Sequence, residues 1–216
     1  DDNAEHMYRW IRQYHAEINA WFILDRSSPD WDRLAGEGFR LMAPGILSKL
    51  LILNCKHIVS SHVDCLYGGL DRRFYDDMMK WRYTFLQHGI THNDMSHWLS
   101  NKPIDLFVTT SPAEYISIIG DDTPYTYTEK ETRRTLFPRY DALLQMQSQI
   151  PQEDRNIVLV MPTWRGSLGQ KRSREEITDS EYVRHWRSLL NSRELLSLLD
   201  KNQRRLAFMA HPDAVQ

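Results

Sequence analysis

Apolar positions along the chain fall into short runs of two periods, and the two kinds alternate from one end to the other. Residues 1–19 open with cap-type side chains and set Met7, Trp10, Ile11, Tyr14 and Ile18 at helical spacing, which predicts a helix with that face inward. A continuous apolar run at 20–24 has the form of a buried strand. Ser28-Pro29-Asp30 then reads as the N-cap and first turn of a short helix ending near Gly36. Strand-like segments follow at 39–42, 57–60, 82–87 and 105–109, separated by helical stretches at 45–54 and 93–99. Ser111-Pro112-Ala113-Glu114 is a capping-box start for a helix to about 119, residues 123–135 can hold a short strand, and 141–149 is helical. After Pro151-Gln152-Glu153-Asp154, a linker candidate, the series resumes: strand 157–161, helices 180–191 and 193–200, strand 205–210.

Repeated strand–helix alternation predicts an α/β fold with parallel sheets covered by helices. The break near 152 divides the chain into a first domain, 1–150, and the opening of a second, 151–216. The chain starts at Asp1 without Met and stops just after a strand-like segment, so it reads as a piece of a longer protein whose second domain is truncated. Residues 166–176 form the most loop-like stretch.

Composition narrows the function classes. With 27 basic and 29 acidic side chains the net charge is −2, which argues against a dedicated nucleic-acid binder. Cys55 and Cys65 are too few for a disulfide framework and lack zinc spacing, which suits a reducing cytoplasm. No apolar run reaches the ~20 residues needed to span a bilayer.

Ligands of open parallel sheets bind beyond the carboxyl ends of the strands. The residues there are His88-Gly89, Thr110-Ser111, Pro162-Thr163-Trp164-Arg165 and His211-Pro212. Each has a plainer role open to it: a histidine after a strand is commonly a hydrogen-bonded loop residue, Arg165 can pair with Glu175 or Glu176, and Arg139 can serve the helix that starts with Asp141. Gly89 gives His88 more weight, because glycine permits a positive-φ turn or close backbone approach to a ligand. His88, His92 and His97 lack a carboxylate at matching spacing, so no metal is expected. Asp25-Arg26, Ser60-Ser61-His62 and Asp64 also follow strand candidates and read as local turn and cap chemistry. Trp81, Trp98, Trp164 and Trp186 read as packing residues.

Taken in order, several segments resemble the CDP-glycerol glycerophosphotransferase family of teichoic-acid and capsule polymerases. They are Asp1-Asp2-Asn3-Ala4-Glu5-His6, Phe85-Leu86-Gln87-His88-Gly89-Ile90-Thr91, Asp105-Leu106-Phe107-Val108-Thr109 with Glu114-Tyr115, Phe137-Pro138-Arg139-Tyr140-Asp141, Met161-Pro162-Thr163-Trp164-Arg165 and His211-Pro212. The resemblance implies a GT-B architecture of two Rossmann-like domains, acceptor-side first and nucleotide-binding second. It also implies transfer of an alditol phosphate, typically glycerol phosphate from CDP-glycerol, to a hydroxyl of a growing polymer, with release of CMP. The family's two essential histidines map onto His88 and His211. His88 is then the general base, and His211, Arg165 and Thr163 face the donor pyrophosphate. Arg139, Ser111 and Gly89 are further substrate contacts.

No metal or organic cofactor is implied. The implied partners are the nucleotide-activated donor and a polymer or lipid-linked acceptor, at the inner face of the cell membrane for the full-length protein. Two departures stand out. Leu136 occupies the position, two before Pro138, where the family usually has glycine, which puts a tight turn there in question. The family's phosphate-binding Asp-Tyr-Ser-Ser segment would lie past Gln216. The competing expectations are a GT-B glycosyltransferase using a nucleotide-sugar, a noncatalytic module of a capsule-assembly protein, and a sugar-nucleotide epimerase.

Overall fold

The computed structural model describes residues 2–64, 70, 76–91, 93–163 and 174–210. The chain forms two compact units, residues 1–146 and 147–216. Among the described residues every strand pairing is parallel, as the alternation predicts.

In the first unit, helix α1 (Asn3–Tyr14) leads into β1 (Phe22–Ile23), α2 (Trp31–Gly36), β2 (Leu41–Met42) and α3 (Ile46–Asn54). A four-stranded sheet follows, built from β3 (His57–Ser60), β4 (Arg82–Phe85), β5 (Leu106–Thr109) and β6 (Thr132–Arg134) in that spatial order. Helix α4 (Ser96–Leu99) lies between β4 and β5 in sequence, and α5 (Pro112–Ile119) between β5 and β6. Helix α6 (Arg139–Gln149) comes after β6. Registers such as Ser60 opposite Phe85 and Phe85 opposite Phe107 align the carboxyl ends of β3, β4 and β5 along one edge. Tyr83, Phe85, Phe107, Leu99, Ile118 and Tyr127 form the main core on this sheet. A smaller core of Tyr8, Leu34 and Phe39 joins α1 to the β1–β2 pair, with the Tyr8 and Phe39 rings stacked at 4.5 Å. Leu86, Val108 and Phe137, with Met7 and Tyr140 against them, form a third cluster just behind the exits of β4 and β5.

Helix α1 departs from its predicted face. Its buried residues are Asn3, Glu5 and Tyr8, while Trp10 and Tyr14 stay exposed, and the helix stops at Tyr14. The reason is that two polar side chains find partners inside. Glu5 takes both guanidinium nitrogens of Arg33, at 2.8 and 3.1 Å, and one of Arg9 at 2.7 Å. A buried carboxyl so paired avoids the desolvation cost that an apolar pattern presumes.

Leu136 supplies the second departure. It adopts φ +70, and the backbone N–H groups of Thr135 and Leu136 both donate to the Thr109 carbonyl, at 3.2 and 3.3 Å. The tight turn is therefore kept without glycine, at the cost of a left-handed leucine. It carries Phe137 and Arg139 to the end of β5.

The second unit contains β7 (Ile157–Val160) paired with β8 (Arg205–Phe208), and helices α7 (Arg174–Thr178), α8 (Glu181–Leu190) and α9 (Arg193–Lys201). Ser180 and Ser192 cap α8 and α9 by accepting from Val183 and Leu195 N–H groups at 3.3 Å. Residues 152–154, expected as a linker, form a 3₁₀ turn at Gln152–Asp154. The expected loop at 166–176 lies outside the described residues up to 173, and 174–176 begin α7.

Candidate active site

The strand β4 ends at Phe85, and the next two residues are buried rather than loop-like. Gln87 is 2% exposed and adopts φ +59. A non-glycine residue in the left-handed region is strained, and the bonds around Gln87 hold it there. Its side-chain amide donates to the Val108 carbonyl at 2.6 Å and to Glu114 Oε1 at 3.0 Å. Its side-chain oxygen accepts from Thr91 Oγ1 at 2.8 Å, and its backbone carbonyl accepts from Asn3 Nδ2 at 2.7 Å. Of the two things glycine permits at Gly89, the positive φ falls instead on Gln87. Among the described residues nothing lies within 4 Å of a Cβ built at Gly89.

Glu114, on the first turn of α5, is the anchor of this corner. It is 4% exposed, and its two oxygens accept four bonds. Thr110 N and Oγ1 donate to Oε2 at 2.7 and 2.9 Å, while Gln87 Nε2 and Thr91 N donate to Oε1 at 3.0 and 3.2 Å. The strand exits of β4 and β5 are thereby tied through one carboxyl group. Ser111 caps α5 by accepting from Glu114 N at 3.1 Å, so its hydroxyl has a helix-capping task at the sheet edge.

His88 follows Gln87 and turns its ring to the exposed side. Its Nδ1 lies 3.3 Å from the Ser61 carbonyl, which can only accept. A hydrogen bond there needs the proton on Nδ1, the tautomer that leaves the lone pair on Nε2. The ring stacks on that of His62, with centroids 4.9 Å apart and planes at 22°. The turn holding Ser61 and His62 is itself fixed. Ser60 Oγ donates to the His62 carbonyl at 2.9 Å and accepts from its N–H at 3.0 Å, and the buried Tyr83 hydroxyl donates to the same carbonyl at 3.1 Å.

Arg139 completes the cluster. Its Nη1 donates to the His88 carbonyl at 2.9 Å and lies 3.6 Å from Asp2 Oδ1. Asp2 Oδ2 is 3.8 Å from His62 Nε2. Asn3, fully buried, accepts from the Arg139 N–H at 3.4 Å while donating to Gln87, so one amide joins α1, the β4 exit and α6.

Of the residues expected from sequence, His88, Gly89, Ser111 and Arg139 lie along this edge of the first unit, with His88 and Arg139 in direct contact. Thr163 follows β7 in the second unit and is exposed, and its carbonyl accepts from the Tyr182 hydroxyl at 2.8 Å. Arg165 and His211 lie outside the described residues, as do His92 and Cys65. Among the described residues no three His, Cys, Asp or Glu side chains gather where they could hold a metal ion. Burial pushes the Cys55 thiol above its ordinary range, which disfavours a thiolate nucleophile there. Three residues of this corner have roles that the sequence does not reveal: Gln87, Glu114 as an anchor beyond its helix-capping position, and His62. For His62 a signal existed, since it follows a strand just as His88 does, but a local turn accounted for it equally well.

The sequence profile of the CDP-glycerol:poly(glycerophosphate) glycerophosphotransferase family matches residues 1–215. Among curated proteins, the chain is similar to the minor teichoic acid biosynthesis protein GgaB of Bacillus subtilis (strain 168), with 31% identity over 230 aligned residues. That match covers all of this chain and 25% of the relative, so the chain spans about a quarter of its length. No solved structure matches the chain. Over nearly its whole length, residues 1–215, the chain belongs to the CDP-glycerol:poly(glycerophosphate) glycerophosphotransferase family.

Proposed function

We propose that the protein to which this chain belongs transfers glycerol phosphate, or a related alditol phosphate, from a CDP-activated donor to a hydroxyl of a growing cell-surface polymer, releasing CMP. The observation that carries the reading is the His88 ring, whose Nδ1 is engaged by the Ser61 carbonyl so that Nε2 is the free base. In the step, Nε2 takes the proton of the acceptor hydroxyl as its oxygen bonds to the donor's glycerol-bearing phosphorus. The bond from that phosphorus to the bridging oxygen breaks, and CMP departs with the electron pair. Arg139, a fixed cation beside His88, neutralises charge gathering on the phosphoryl oxygens.

In this reading residues 1–150 form the acceptor-side domain of a GT-B enzyme and 151–216 open the nucleotide-binding one. Arg165, His211 and Thr163 meet the donor pyrophosphate, on the strength of the motif resemblance. The acceptor is a polymer or a lipid-linked primer, and the reaction runs in the cytoplasm at the inner face of the membrane. Among the described residues no helix is long and apolar enough to cross a membrane.

The test uses the full-length protein. His88→Ala should abolish CMP release from CDP-glycerol while donor binding, followed by calorimetry, stays within about threefold of the parent. Near-normal turnover in that variant would remove His88 from the base role.

A further inference from the structure

His62 has no part in the step just described, yet its ring lies against that of His88. The two rings are nearly parallel at 4.9 Å. His62 is 60% exposed along its side chain, so the stack is not forced by burial. Instead its backbone is pinned from two directions, by Ser60 Oγ and by the Tyr83 hydroxyl of the core. Its outer edge faces Asp2, whose other oxygen faces Arg139. The His88 ring is thus confined in two ways: Ser61 fixes the rotation of its plane through Nδ1, and His62 blocks one face. Without His62 the ring is held by the Ser61 bond alone, and one of its faces is open to other rotamers.

We infer that His62 is a positioning residue for His88, holding the imidazole by ring stacking so that Nε2 is aimed at the acceptor hydroxyl. The inference rests on His88 being the base. It acts on the proton-transfer geometry and leaves the donor contacts alone, so its loss should appear in kcat rather than in KM for the donor.

In the full-length protein, His62→Ala should lower kcat for CMP release from CDP-glycerol roughly five- to tenfold, the size of one aromatic pair. KM for CDP-glycerol should stay within about twofold. His62→Phe, which keeps a flat ring without nitrogens, should restore kcat to within about threefold of the parent. Both variants should unfold at the parent temperature, because the ring is exposed. A normal kcat in His62→Ala overturns the inference, as does a His62→Phe variant no better than His62→Ala, or an effect confined to KM. His88→Ala is assayed beside them. If it is inactive while His62→Ala is normal, the positioning role alone fails; if it keeps turnover, the base reading fails first.

Discussion

Replacing Glu114 by glutamine tests whether one carboxyl group holds the corner on which His88 stands. The substitution preserves volume and exchanges one acceptor oxygen for an amide donor. Because each oxygen receives two donors, either orientation of the new amide sets an NH₂ against a pair of N–H or O–H groups. Thr110 Oγ1 can rotate away, and Gln87 Nε2 retains the Val108 carbonyl. The backbone N–H groups of Thr110 and Thr91 have no such freedom. A buried donor left without an acceptor costs about 1–3 kcal/mol, so one such loss plus a weakened second bond gives about 2–3 kcal/mol. Urea unfolding followed by tryptophan fluorescence should show a lowered midpoint with an unchanged slope. Glu17→Gln, at an exposed site, serves as the control and should shift stability by less than about 0.5 kcal/mol. A Glu114→Gln variant indistinguishable from that control would refute the anchoring argument.

Two other perturbations follow from the same geometry. The bond from Arg33, reinforced by Arg9 and opposed by desolvation, holds the Glu5 carboxyl down at about 2 from its ordinary 4.5. A depressed carboxyl stabilises the fold above its unfolded value, and that contribution fades as pH falls from about 4.5 towards 2. The full shift corresponds to about 3 kcal/mol, and the half-exposed arginines bring this nearer ~1–2 kcal/mol through solvent screening. The stability gap between the parent and Glu5→Gln should therefore be largest near pH 7 and at least halve by about pH 3, and a gap constant over that range would contradict it. At the left-handed Leu136, glycine should be better tolerated than valine by about 1–2 kcal/mol, since a β-branched side chain suits φ +70 worst. Thermal melts of the two variants decide this, and an equal or reversed order counts against strain at the turn.

Much of the first unit is readable from local pattern because its strands are short apolar runs closed by recognisable caps. Ser111 before Pro112 marks the start of α5 in the sequence as surely as in the fold. His88 and Arg139 are likewise marked by position, one after a strand and one at the head of a helix. What local pattern misses is polar burial between distant segments. Asn3 reaches Gln87 across 84 positions and Arg139 across 136, so no window of the sequence contains both partners. Glu5 reads as a surface carboxyl until Arg33 is beside it, which is why the predicted face of α1 is buried only in part, through Met7 and not Trp10 or Tyr14. His62 is missed for the same reason: it meets the ring of His88 only because β3 and β4 are neighbours in register.

The left-handed Gln87 bears on how fast a reaction at His88 could run. Holding a side-chain-bearing residue in that region costs about 1–2 kcal/mol, and here the cost is met once, as the chain folds. With its carbonyl and both ends of its amide already committed, the backbone before His88 has nothing left to rearrange when a substrate arrives. Glycine at 87 would relieve the strain and return that conformational freedom to the loop, to be lost again in every catalytic cycle. In the proposed reaction, the glutamine would place that entropic cost in folding rather than in turnover.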